Sequence, residues 1–197
     1  MKLSFPLKIA ANAILAGISI SLGTYVYLQV QGLTGAVLYS VGLLAVVYYQ
    51  FILYTGAGGK VHNLFELACL TVVLILNGIG CWAVSLGIHD PAIIQLCEYV
   101  VRDRGQLSFW GAMMRGMGCG FVLTMTMQCW KDNKWSLLIG APAFILAGFT
   151  HSVTDIFYYC IGFSAITKSA VWALCGTIVG NFVGGNVYQL GTSEIKK

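Results

Sequence analysis

The stretch Trp135–Phe163, WSLLIGAPAFILAGFTHSVTDIFYYCIGF, decides how the chain is read. It is apolar for the length of a membrane span, yet its middle holds Gly148-Phe149-Thr150-His151-Ser152, a glycine and polar side chains that weaken a helix. Irregular backbone is prohibitively costly against lipid, so an interruption at membrane depth belongs where it lines a cavity or packs inside protein. An imidazole at that depth is costly unless it is hydrogen-bonded or used. His151 is therefore the leading candidate functional residue, with proton handling and simple packing both open.

The surrounding chain has the composition of a membrane protein. Of its 197 residues 58% are hydrophobic and 9% charged, too little polar surface for a soluble domain. Crossing a hydrocarbon core of about 30 Å takes about 20 apolar residues. Apolar segments fall at roughly 9–30, 34–54, 63–88, 107–130, 135–163 and 169–190, interrupted by charge only at Glu66, Arg115 and Asp155. The pattern predicts an all-α integral membrane protein with six transmembrane helices in one domain, residues 1–197. The run ending near Val30 has no convincing small-residue cleavage site, so it reads as a span and not as a signal peptide.

The net charge of +4 comes from eleven Lys and Arg near the ends of apolar runs, without a basic stripe that would hold nucleic acid. Six spans put Lys2, Lys8, Lys60, Lys131, Lys134, Lys196 and Lys197 on one side, against Arg102, Arg104 and Lys168 on the other. The positive-inside rule then places both termini in the cytoplasm of a multi-pass cell (inner) membrane protein.

A second helix-weakening cluster, Thr55-Gly56-Ala57-Gly58-Gly59, predicts that the second span is broken like the fifth. The third span holds Leu76-Asn77-Gly78-Ile79-Gly80, and the sixth holds Gly180-Asn181-Phe182-Val183-Gly184. A broken span followed by an Asn-Gly span thus occurs twice. Two inverted three-helix repeats produce that order and place a solute site near the midplane. Thr55 reads as the counterpart of His151, offering a hydroxyl at the same narrow point. Asp155, four residues beyond His151, either pairs with the imidazole or caps the resumed helix. Asn77 and Asn181 are expected to tie the broken loops to neighbouring helices, and Glu66 and Arg115 to snorkel toward polar surroundings.

Cys69, Cys81, Cys119, Cys129, Cys160 and Cys175 lie in apolar runs and Cys97 in what reads as a polar loop, none at the paired spacing of a zinc site. His62 and His89 lie near membrane boundaries. No metal, cofactor or disulfide is expected.

These residues resemble a known family. Gly148-Phe149-Thr150-His151-Ser152-Val153 is similar to the Gly-Phe-Glu-His-Ser signature of formate/nitrite transporters, and Leu53-Tyr54-Thr55-Gly56 to that family's Leu-Phe-Thr loop. Tyr39-Ser40-Val41-Gly42-Leu43 precedes Thr55 at the family interval. Arg115-Gly116 with Cys119, and Gly180-Asn181 with Gly184-Gly185, resemble its fourth and sixth spans. The resemblance implies an aquaporin-like fold and a homopentamer with one pore per subunit. It implies passage of small monovalent weak-acid anions (formate, nitrite, hydrosulfide or lactate), as the neutral acid or with a proton. By the family pattern Leu43 and Phe144 form the outer constriction and Leu53 and Tyr54, beside Thr55, the inner one. His151 lies between them, supported by Asn181, and Arg104 supplies the positive charge of the outer vestibule.

The chain departs from that pattern at Thr150, where glutamate is usual, and at Asp155 and Gly120, where asparagine is common. About eight residues precede the first span, so the family's amphipathic N-terminal helix is not expected. If His151 relays a proton, a nonionisable residue there changes the pH dependence of flux. A channel for water, glycerol or urea is the alternative pore, although its Asn-Pro-Ala loops are missing, the prolines being Pro6, Pro91 and Pro142. A membrane-embedded enzyme or metal-binding protein and a nontransporting structural or assembly subunit are the remaining alternatives, the two matched breaks counting against the last.

Overall fold

A computed structural model describes residues 5–58, 61 and 63–193. Lys2, Lys60, Lys196 and Lys197, which carry much of the predicted sidedness, and His62 lie outside the described residues. Among the described residues there is no strand. The helices are α1 (Phe5–Val30), α2 (Gly32–Tyr48), α3 (Tyr54–Gly58), α4 (Leu64–Ser85), α5 (Pro91–Gly105), α6 (Phe109–Cys129), α7 (Ser136–Leu146), α8 (Ser152–Ile161) and α9 (Lys168–Ser193). A 3₁₀ turn at Phe163–Ala165 joins α8 to α9.

Three stretches, Leu7–Val30, Leu64–Ser85 and Lys168–Thr192, are apolar and long enough to cross a membrane. Their outer faces carry exposed Leu22, Val72, Ile75, Trp82 and Trp172, side chains suited to lipid. The other apolar stretches are interrupted or, in α6, diluted by glycine and by exposed Arg115.

Two helix pairs form the frame, α1 against α4 and α6 against α9, the latter the most extensive contact in the molecule. Glycine makes the approach: a Cβ on Gly180 would lie 2.1 Å from the Met113 carbonyl oxygen, and one on Gly80 2.3 Å from that of Ile14. Such distances leave backbone against backbone, the packing of small residues between membrane helices. The interrupted pairs α2/α3 and α7/α8 pack against this frame, α2 on α1, α3 on α9, α7 on α6 and α8 on α4, with outward faces of α2 and α7 exposed. The core between them holds Tyr39, Leu43, Leu53, Phe144, Val153 and Phe157, all but excluded from solvent.

The interruption in the first half falls at 49–53, ahead of the glycine cluster that predicts it, and Thr55–Gly58 are helical within α3. The second interruption, 147–151, coincides with its predicted cluster. The two are built on one plan, with matching bonds between residues that stand 98 apart in sequence. Phe51 N–H donates to the Val46 carbonyl and Phe149 N–H to that of Phe144, five residues back at 2.9 and 3.1 Å. Ala57 N–H donates to Leu53, and Asp155 N–H to His151. Gln50 takes φ +56° where Gly148 takes φ +70°. In this register the counterpart of His151 is Leu53, not Thr55.

A side chain at positive φ costs about 1–2 kcal/mol, partly offset by the narrower unfolded ensemble it brings. Gly148→Ala is expected to lower stability by about 1 kcal/mol and Gln50→Gly to raise it by a few tenths to about 1 kcal/mol. Thermal unfolding of the purified protein in detergent would read both, and shifts of the same sign would show that φ strain does not govern these positions.

Helix α5 occupies a segment that reads from sequence as a loop. Asp90 caps it by accepting from Ala92 N–H at 2.9 Å, Pro91 occupies the first turn, and Arg102 and Arg104 stand in the last. Ile93, Cys97 and Val101, at steps of four, are buried, so Cys97 is a packed helical thiol. Glu98, on the outer side, accepts a short bond from the Ser164 hydroxyl and pairs with Arg102 at 2.9 Å. The Ser164 bond first, then Arg102, holds its carboxyl below the usual range.

Candidate pore site

Each interruption is held by one asparagine in the next long helix. Asn77 accepts from Tyr54 N–H at 2.9 Å and donates to the carbonyls of Ile52 and Ala13 at 3.0 and 2.7 Å. Asn181 accepts from Ser152 N–H at 2.7 Å and donates to the carbonyls of Thr150 and Gly116, both at 2.9 Å. Every polar atom of the two amides is thus used on backbone: two bonds of each go to groups that the break would leave unpaired, and the third ties the break to a neighbouring helix, α1 at Ala13 or α6 at Gly116. Both asparagines are fully buried and neither reaches a cavity.

The second break presents His151, 2% exposed, between two threonines. Its Nδ1 accepts from Thr154 N–H at 3.2 Å and lies 2.9 Å from the Thr154 hydroxyl, which lies 2.8 Å from the Tyr39 hydroxyl. An acceptor Nδ1 leaves the hydrogen of a neutral imidazole on Nε2, which lies 3.0 Å from Thr55 Oγ1. The bonds then run in one direction: Tyr39 donates to Thr154, Thr154 to His151, and His151 to Thr55. The Thr55 hydroxyl hydrogen is left free of the imidazole.

Asp155 serves neither of its two predicted purposes. His151 itself caps α8, and the Asp155 carboxylate receives Nε of Arg104 at 3.3 Å, across 51 residues of sequence. Arg104 also donates Nη1 to Asp103 at 3.3 Å. The guanidinium predicted as a vestibule charge is therefore held between two carboxylates.

Two cavities approach the Thr55–His151 contact from opposite ends. One, of about 1400 Å³, is open at the end bearing Lys131 and Lys134 and reaches Leu53. The other, of about 130 Å³, lies at the α5 end and is walled by Phe144, His151, Arg104 and Asp155, among others. Thr55 lines neither cavity but stands between Leu53 and Gly56, which line the larger one, so its bond to His151 links that wall to the wall of the smaller. Of the remaining residues expected in the pore, Leu43 is buried between helices and Tyr54 turns its hydroxyl to the Ile178 carbonyl at 3.1 Å. Neither lines a cavity.

Sequence reasoning overlooked Tyr39 and Thr154 as partners of the imidazole. Thr154, three residues past His151, was within reach of helical spacing, whereas Tyr39 stands 115 residues from Thr154 with no local signal. Among the described residues, no three His, Cys, Asp or Glu side chains gather as a metal site requires.

The family described as "Formate/nitrite transporter" matches residues 2–192. A solved structure described as "Pentameric formate channel with formate bound" is similar at a TM-score of 0.81 and 18% identity, over 96% of each chain. Another, "FNT family ion channel", gives a TM-score of 0.86 at 17% identity, covering 97% of this chain and 91% of the other. At such identities the likeness is one of fold. No curated protein matches.

Proposed function

Since the chain belongs to the formate/nitrite transporter family, we propose that it is a membrane channel passing small monovalent weak acids, formate among them, across the Thr55–His151 contact. Membership makes it a transport protein, not an enzyme. The observation that carries the reading is the neutral imidazole between two cavities, its Nε2 on Thr55 and its Nδ1 on Thr154. A bare anion passing Leu53 and Phe144 would lose its hydration without compensation, whereas the neutral acid escapes most of that cost and can hydrogen-bond to Thr55.

The proposed assembly is a homopentamer with one pore in each chain, in keeping with the relative described as pentameric. Within residues 1–197 we read six spans as two inverted repeats in an aquaporin-like arrangement. The matched breaks and the matched bonds of Asn77 and Asn181 support the pairing. The proposed setting is the cell membrane, with both termini on the lysine-rich side. Formate, nitrite, hydrosulfide and lactate are the solutes to compare.

Stopped-flow uptake into proteoliposomes tests the proposal, with glycerol as the neutral control. Channel-dependent formate or nitrite uptake, rising as pH falls, is the expected result. Uptake of glycerol alone would overturn it.

A further inference from the structure

The smaller cavity has the wrong charge for collecting anions. Its charged side chains are Arg104 and Asp103 from α5 and Asp155 from α8. Arg104 is bonded to both carboxylates, with its side chain 16% and that of Asp155 2% exposed. One guanidinium against two carboxylates leaves a formal negative charge; if Asp155 carried a proton, the sum would be zero. In neither state is it positive.

The other groups facing the cavity do not alter this balance. Tyr27 of α1, Tyr39 of α2, Tyr99 of α5 and Tyr158 of α8 present uncharged phenols, and His151 is held as the neutral imidazole. Cys119 of α6 and Thr177 of α9 stand behind Asp155 and bring no cation. Arg102 is engaged with Glu98 farther out. The large cavity at the opposite end has Lys131 and Lys134 against Asp132, a net positive lining.

We infer that the ion cluster Asp103–Arg104–Asp155 excludes anions from the α5 end, so that only acids able to pick up a proton from water before entry pass there. This rests on the weak-acid channel reading and narrows it: formate-like weak acids pass as neutral molecules, and anions of strong acids, such as nitrate, do not. A unit charge lining a narrow cavity of low effective dielectric acts strongly on an ion beside it and hardly on a neutral solute. The proton joins the carboxylate at the cavity mouth and leaves to water on the far side, so no net charge moves.

The test pairs formate flux into proteoliposomes with nitrate current across planar bilayers. The unmodified channel is expected to carry formate flux with negligible nitrate current. Asp103→Asn, at a half-exposed position, is expected to raise nitrate current at least tenfold relative to formate flux. Adding Asp155→Asn frees Arg104 and is expected to raise it further, size-exclusion elution confirming that the double variant folds. Substantial nitrate current through the unmodified channel, or an unchanged ratio in Asp103→Asn, would overturn the inference and leave the channel reading standing. Absence of formate flux from the unmodified channel would overturn both.

Discussion

His151→Leu is expected to slow formate uptake by about ten- to a hundredfold at every pH. The substitution removes the partner of Thr55 and the acceptor of Thr154 N–H together, and it lines the second break with the residue type found at its counterpart, Leu53. A neutral acid crossing that point is then left with a buried hydrogen-bonding group unsatisfied, a cost of about 1–3 kcal/mol, and each 1.36 kcal/mol is a factor of ten in rate. His151→Asn keeps polar atoms but cannot titrate, so it should lose less. Its flux should follow pH as the unmodified channel does, because a proton on Nδ1 would set its N–H against the Thr154 N–H that now donates to it. The relay read from sequence predicts the opposite. A pH profile altered in His151→Asn would show that the imidazole supplies the proton.

Asn181→Leu is expected to prevent recovery of a monodisperse folded channel. Two backbone groups of the break, Ser152 N–H and the Thr150 carbonyl, would lose their partner in a site closed to water, while the Gly116 carbonyl would keep its bond within α6. Each buried group left unpaired costs about 1–3 kcal/mol, against a total stability of about 5–15 kcal/mol for an ordinary domain. Asn181→Asp keeps the acceptor for Ser152 and loses both donors, so it should fall between. Asn77→Leu should match Asn181→Leu, since the two asparagines make the same three kinds of bond. Size-exclusion elution and thermal unfolding in detergent measure these effects. An Asn181→Leu protein that unfolds within a few degrees of the unmodified one would show that the amide does not hold the break.

How far the sequence was legible depends on how local each signal is. His151 and Gly148 announced the second break, because a polar side chain and a glycine in an apolar run have few other meanings. The first break was displaced in the reading, because its left-handed residue is Gln50, which composition does not mark, while Gly56 and Gly58 are helical. Gly56 leaves room for the Met127 side chain, a demand from α6 that has no trace near residue 56. Helix α5 had a cap at Asp90-Pro91 and apolar residues every fourth position, signals outweighed by the polar character of the segment. The Arg104–Asp155 pair lay beyond any local rule, because the partners meet only when α5 docks on α8.

The placement of the two asparagines also has a meaning in time. Asn77 follows Tyr54 by 23 residues and Asn181 follows Ser152 by 29, so each break leaves the ribosome before the side chain that closes it. At about 5–20 residues per second the nascent chain carries each open joint for about one to several seconds. During that interval the short helices α3 and α8 have no amide to bind them. Water, the insertion machinery or the preceding helix must cover their exposed peptide groups until α4 or α9 arrives. The order of synthesis therefore leaves each break open until the helix that carries its asparagine is made, and a ribosome stalled shortly after residue 152 would leave the second joint open to quality control.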